Sequence, residues 1–447
     1  MFRDLWALRL AAFGNLDRNG GLPFSTSSTQ NPADSFLKEE RNMNDSLIQV
    51  YLPFLENKEL FGDYVNIIGG IRFGKIMEDL DVFAATCAYM HCGTSTSNGE
   101  KLTIVTAAVD RIDVHMRLDE PMNLRMKGMV TFVGKSSMEV TIVVESSKGR
   151  FVGTESSDPK VDQDVVINQI IEEAATEEST EEDWKLAALA KFIMVAKNSE
   201  GPVQVPRLKL NSKREEAIFA AGAERHATRL SRAQQSLFKE PPTADESILL
   251  HKLFLKPSCT SFEQVPISST ILTTTKLCHP QERNIHDLIF GGFLMREAFE
   301  LGFTCAQLFS RSRLHFLAVD ELAFKHPVPI GAVLQLTSQV VYTEEEYADS
   351  DAAPINSPNI TSNTTTSNTS TSNVTSQLIH VEVVADVLNI HTADRKTTNT
   401  FHFTYRKESP PKHAVKPGTY GEAMKYLEGK RRISAKPLDP LGTIYKF

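Results

Sequence analysis

The chain has 447 residues, a formal net charge of −8 and a pI near 5.9, with 41% hydrophobic and 23% charged residues. This is the composition of a folded globular protein long enough for two or three domains. It argues against a general nucleic-acid binder, because neutralising phosphates takes a basic surface, and no apolar run reaches the roughly 18–20 residues of a membrane-spanning helix.

Residues 1–45 begin MFRDLWALRLAAF, with Arg3 and Arg9 on a partly amphipathic stretch. Asp4 departs from the acid-poor composition of a presequence, so a transit peptide and a plain disordered leader are both open readings. Residues 60–200 alternate apolar runs with turns and are expected to form a first domain. Inside it, 146–183 carries seven acidic side chains between Glu172 and Asp183 and reads as a solvated insertion. Residues 207–256 place Arg, Lys, Ala and Glu at helical spacing, as a helical linker would. Residues 262–406 repeat the first pattern, interrupted at 351–377 by a Ser/Thr/Asn tract expected to be a disordered loop between two strands. Residues 407–447 are left as a C-terminal extension. The five cysteines, Cys87, Cys92, Cys259, Cys278 and Cys305, contain no CxxC and are odd in number. Neither a disulfide framework nor a metal site is expected, and a reducing compartment fits.

The two halves are one pattern used twice. With Gly74 aligned to Gly292, Ile76, Leu80, Phe83, Cys87 and Met90 follow at the same spacings as Leu294, Ala298, Leu301, Cys305 and Leu308. Each set is one stripe of a helix of about five turns. A strand follows each helix and ends in the same tripeptide, Ala108-Val109-Asp110 and Ala318-Val319-Asp320. Further runs such as GMVTFVGKSSMEVTIVVE and TTNTFHFTY alternate Val, Ile, Thr and Phe, as antiparallel strands do. One long, mostly apolar helix with about five strands is best buried by a sheet wrapped around it. The expected class is α+β, a tandem hot-dog fold.

Several stretches then become recognisable: RFGKIMEDLD (72–81), YMHC (89–92), IVTAAVDRID (104–113), VGKSSMEV (133–140), CHPQERNI (278–285), IFGGFLMREAFELG (289–302) and TYGEAMKYLEG (419–429). With TTNTFHFTY they resemble the mitochondrial acyl-coenzyme A thioesterases with two fused hot-dog domains, the acyl-CoA thioesterase 9 type. The resemblance covers residues from about 60 to 430. It implies hydrolysis of acyl-CoA to free acid and CoA, a role in lipid metabolism, and the mitochondrion. It also implies an acyl-CoA substrate as the partner and a homo-oligomer, with a trimer of the fused chain as one form. No nucleic acid, transmembrane segment or cofactor is expected, CoA being part of the substrate.

The chemistry selects residues within that frame. A thioester carbonyl attacked by water needs a donor for its oxygen and a base for the water. A helix N-terminus offers free N–H groups, and glycines there allow close approach. Gly74 and Lys75 hold that position in the first half, and Gly291, Gly292 and Phe293 in the second. The family resemblance implies an acid about seven residues along the helix. Asp81 fits directly; in the second half Phe299 falls there, and Glu300 fits by a one-residue shift. It further implies a catalytic asparagine from one unit facing the acid of the other. Asn284 and Asn66 each lie eight residues before the aligned glycine. The expected site is Asn284 with Asp81; Asn66 with Glu300 is a second, degenerate candidate. Arg283, Arg72 and Lys135 are candidates for the CoA phosphates. His286 and His279, near the second helix entrance, would instead serve a hydratase or dehydratase. A non-catalytic acyl-CoA-binding protein is the third reading.

Overall fold

The computed structural model describes residues 40–93, 102–148, 184–234, 237, 241–255, 263–284, 287–320, 322–347, 374–389, 392 and 394–434. Residues 1–39 of the leader, most of the acidic insertion and most of the Ser/Thr/Asn tract lie outside the described residues, as does His286; the end of the expected leader is instead ordered, because Glu40–Asn42 pairs with Arg207–Lys209.

The first unit contains strands β1 (Glu40–Asn42) and β2 (Ile48–Leu52), helices α1 (Lys58–Tyr64) and α2 (Phe73–Cys92), and strands β3 (Thr103–Val114), β4 (Asn123–Val133), β5 (Ser137–Ser147), β6 (Lys185–Lys197) and β7 (Arg207–Lys209). It closes with helix α3 (Lys213–Gln234). Helix α4 (Ala244–Leu255) leads into the second unit. That unit holds β8 (Glu263–Pro266), β9 (Leu272–Leu277), helix α5 (Gly291–Ser310), β10 (Leu314–Val319), β11 (Leu322–Ala323), β12 (Val333–Tyr347), β13 (Val374–Leu388), β14 (Arg395–Lys407), β15 (His413–Lys416) and helix α6 (Tyr420–Ser434).

One antiparallel sheet runs through both units in the order β2-β4-β5-β6-β3-β10-β14-β13-β12-β9. The second half of that order is the first in mirror sequence, with β10 standing for β3 and β9 for β2. The halves join where Ala318 and Val319 of β10 pair with Asp113 and Ile112 of β3. Helices α2 and α5 are each 20 residues long and begin and end at equivalent positions when Gly74 is placed on Gly292. Their apolar stripes, Ile76-Leu80-Phe83-Cys87 and Leu294-Ala298-Leu301-Cys305, are buried in one continuous core. The last position of each stripe departs from this, Met90 being half-buried and Leu308 exposed. The chain is therefore a tandem hot-dog, two sheet-wrapped helices laid against each other.

Three features differ from the expectation. Strand β3 runs past Asp110 to Val114, because it has partners on both edges: β6 along its length, then β11 and β10 on the other side. The first unit starts upstream of residue 60, since β2 is the edge strand paired to β4. The expected linker at 207–256 divides in two. Its first helix, α3, covers the outer face of the first sheet, where Arg225 forms a buried pair with Glu139 of β5 and Arg229 pairs with Asp110. Helix α6 does the same for the second sheet, Lys425 pairing with Glu382 of β13 at 2.6 Å. Both helices cross the sheet at a glycine. A Cβ on Gly222 would lie 2.5 Å from Phe132 Cβ, and one on Gly429 would lie 2.8 Å from Tyr342 Cβ. The repeat thus extends to α3 and α6, and α4 alone is the connection. It is tied to α6 by Arg431, which donates to both carboxylate oxygens of Glu246 at 2.6 and 2.7 Å.

Candidate active site

The loop into each central helix is built on its asparagine. Asn66 N–H donates to Gly70 O at 2.8 Å, while its Oδ1 accepts the N–H groups of Ile68 and Gly70 and its Nδ2 donates to Ile71 O. Asn284 N–H donates to Leu288 O at 2.6 Å, and its Oδ1 accepts Leu288 N–H at 3.2 Å. A residue three on, Gly69 or Asp287, takes the left-handed conformation in both loops, with φ of 89° and 56°. Asx-type turns of this kind explain why asparagine precedes both helices.

The second loop opens onto a cavity of about 250 Å³ between the units. Its walls include Asp81 from α2, Thr106 from β3, and Asn284 and Gly291 from the α5 entrance. Asp81 is held from both units. Its Oδ1 accepts the Thr106 hydroxyl at 2.7 Å and its Oδ2 accepts the Gly292 N–H at 2.6 Å. Both bonds favour the ionised carboxylate, as does the positive end of α5. Gly291, the first residue of α5, leaves room: a Cβ there would lie 2.9 Å from Phe324 Cζ and 3.2 Å from Asp81 Oδ2. Among the described residues nothing accepts from the Gly291 N–H. Gly292 serves a different contact, since a Cβ on it would come within 2.8 Å of Glu78 O on α2. Deeper in, Val82, Ala85 and Tyr89 follow Asp81 along α2. Lys197 and the exposed His326 stand at the wall as basic groups.

No family model matches the chain. Over 410 residues it is 34% identical to the mitochondrial acyl-coenzyme A thioesterase 9 of Bos taurus, covering 88% of this chain and 79% of that one. The Homo sapiens protein of the same name is 33% identical over 410 residues, with 88% and 78% covered. The chain belongs to the mitochondrial acyl-coenzyme A thioesterase 9 family. It is a thioester hydrolase acting on acyl-CoA, and its place is the mitochondrion. Among solved structures, the acyl-CoA hydrolase of Staphylococcus aureus aligns at 19% identity and a TM-score of 0.29, over 38% of this chain and 88% of that one. The acyl-CoA hydrolase of Bacillus cereus gives 19%, 0.30, 38% and 88%.

In this thioesterase the twin of the cavity is filled differently. Aligning the two helices places Phe299 where Asp81 stands and Phe73 where Gly291 stands. Aligning the AVD tripeptides, each preceded by a β-bulge, places Phe316 where Thr106 stands. The three rings cluster, with centroids 6.0 Å (Phe73–Phe299), 5.0 Å (Phe73–Phe316) and 4.8 Å (Phe299–Phe316) apart. Glu300 falls at the position of Val82, and its Oε1 accepts Arg72 Nε at 2.8 Å. Asn66 remains in its turn on the wall of this second cavity, and Arg72 is also there.

The remaining candidates are not brought to the first cavity. Lys75 is buried, with Nζ 3.1 Å from Glu78, and its N–H donates to Arg72 O. Gly74 faces Arg296, Glu300 and Phe299, each 3.3 Å from where its Cβ would be. Phe293 is buried, with the Arg296 guanidinium over its ring. Lys135 lies in the β4–β5 turn, and Arg283 is exposed beside Asp287; neither lines either of these two cavities. His279 caps a short exposed turn. Sequence reasoning did not single out Thr106, Phe324, Lys197 or His326. Thr106 was legible in principle, as a hydroxyl two residues before a tripeptide whose twin is preceded by phenylalanine.

Proposed function

We propose that hydrolysis takes place in the cavity at the α5 entrance and not in its twin, so that one of the two cavities formed by the described residues is catalytic. The acyl group lies along α2 past Asp81, and the thioester oxygen accepts the Gly291 N–H at the positive end of α5. Asp81 takes a proton from the attacking water, whose oxygen bonds to the carbonyl carbon. The negative charge moves to the thioester oxygen. When the tetrahedral intermediate collapses, the carbon–sulfur bond breaks, the proton passes from Asp81 to the leaving sulfur, and free acid and CoA depart. Thr106 and the Gly292 N–H hold the carboxylate in line and keep it ionised between turnovers. Asn284 orients the water with a carboxamide that does not titrate.

The observation that carries this reading is the cross-unit clamp on Asp81 beside a helix N–H, that of Gly291, from which no described residue accepts. Phe299, Phe316 and Phe73 leave the twin position with no base, no hydroxyl and no glycine. Lys197 and His326 are the basic groups placed to meet the CoA phosphates. No cofactor is needed, because every proton and charge in the sequence above has a side chain or backbone group to hold it. The fused chain is proposed to assemble as a homo-oligomer, specifically a trimer, for which light scattering should return three chain masses. Thiol release from acyl-CoA tests the site: Asp81→Ala and Asn284→Ala should each abolish most of it, and full activity in either variant would remove that residue from the mechanism.

A further inference from the structure

The twin cavity is larger than the catalytic one, about 760 Å³ against 250 Å³, and the two share no wall residue. That volume is within the roughly 300–1,000 Å³ of ordinary ligand sites. Its floor is aromatic and aliphatic: Phe73, Phe299, Phe303 and Phe316, with Ile71 and Leu118. From Phe299 through Phe303 to Gln307 the α5 face offers a track of eight residue steps, roughly 12 Å at the helical rise. The equivalent track in the catalytic cavity ends at Tyr89, whereas here the end position is Gln307. Ile67 and Ile68 form an apolar lip that is 85% and 47% exposed. At the rim stand Arg117, Arg313 and Arg406, paired to Glu408, Asp119 and Glu346 in solvent-exposed ion pairs. Such pairs are held by little free energy, so a ligand anion can displace the carboxylates.

We infer that this second cavity is a non-hydrolytic binding site for a long acyl chain carrying an anionic head, its tail on the phenylalanine floor and its head at the arginine rim. A chain bound there meets no carboxylate at position 299 and is not cleaved. Two sources share this chemistry, a free fatty acid and an acyl-CoA. The inference stands on the geometry of the repeat and not on Asp81 acting as the base.

The test is calorimetric binding of palmitate, and separately of S-hexadecyl-CoA, a thioether that cannot be hydrolysed, to the full chain. Butyryl-CoA turnover is measured in parallel. One equivalent of at least one ligand should bind. Binding should be lost in Thr304→Trp, where an exposed residue of α5 is enlarged into the cavity, and weakened about tenfold or more in Arg313→Glu/Arg406→Glu. Butyryl-CoA turnover should stay at the wild-type rate in both. If neither ligand binds, or if binding is unchanged in both variants, the inference is overturned. Failure of the catalytic reading would show separately, as turnover that survives Asp81→Ala.

Discussion

The carboxylate of Asp81, from the first unit, accepts the backbone N–H of Gly292, from the second, at 2.6 Å. The helix entrance and the acid are therefore parts of one site only while the two units stay docked. The other carboxylate oxygen is fixed by Thr106, within the first unit. Thr106→Val keeps the shape of the side chain and removes the hydroxyl. A hydrogen bond to a charged group contributes about 1.5–3 kcal/mol, so kcat should fall roughly 10- to 100-fold with little change in KM. Steady-state thiol release checks this, and an unchanged kcat would show that Asp81 does not need the clamp.

Acyl-chain preference should follow Tyr89. The catalytic cavity of about 250 Å³ is not much larger than a void of about 150 Å³ that takes up benzene. A short acyl group fits, and the tyrosine ring closes the far end. Tyr89→Ala should shift the optimum of a C2–C18 saturated series to longer chains. Ala85→Phe, which copies Phe303 of the twin, should suppress all but the shortest. Tyr89 also accepts the Ile104 N–H at 3.0 Å, so a stability loss of about 1–3 kcal/mol accompanies its removal. An unchanged chain-length profile in both variants would place the acyl group elsewhere.

Burial pushes the Asp79 carboxyl up to about 7, against the Tyr64 hydroxyl, which donates to it at 2.6 Å. Between about 4 and 7 the folded protein then holds a proton that the unfolded chain has released. Stability from this group falls as pH rises through that window. His380 acts in the opposite sense. Burial lowers its pKa to about 3, so the unfolded chain binds the extra proton below 6.5 and stability falls as pH drops. The two slopes oppose, so the wild-type curve alone does not resolve them. The difference between wild type and Asp79→Asn does: in urea unfolding, the variant should gain on wild type from pH 5 to 7.5. Parallel curves would contradict the assignment.

The repeat was legible because helix spacing and the AVD tripeptide recur in sequence, and both survive in the fold with the same register. The candidate acid in the first unit, Asp81, came from the family resemblance and not from the repeat, which puts Phe299 at the matching position. Glu300 was harder to judge. Carboxylates are common on helix surfaces, and a one-residue shift is free on paper, whereas on a helix it turns a side chain by about 100°. The structure keeps Phe299 in the Asp81 frame and sends Glu300 to Arg72. The glycine pair also carries two causes that sequence cannot separate. Gly291 leaves room at Asp81 and Phe324, and Gly292 lets α5 close on the backbone of α2. Lys197 and His326 come from a strand and a loop remote in sequence, so no local pattern could have joined them to the site.

On the proposed mechanism Glu300, which accepts from Arg72, belongs to an ion pair and not to the chemistry. Glu300→Gln breaks a partly exposed contact with Arg72, 41% and 35% exposed, of a kind that contributes about 0.2–1 kcal/mol. Its kcat should stay within about twofold of wild type on every acyl-CoA tried. A drop of tenfold or more at unchanged stability would restore it to the catalytic set.

The central claim is one catalytic cavity per chain, with Asp81 as its base. The direct measurement is thiol release from a saturating short-chain acyl-CoA by wild type and Asp81→Asn, with thermal unfolding to confirm the fold. General-base catalysis contributes about 10²–10⁴-fold, so a loss of that size is predicted. Retention of about half the wild-type rate would reveal a second working site at the Phe299 position and contradict the account.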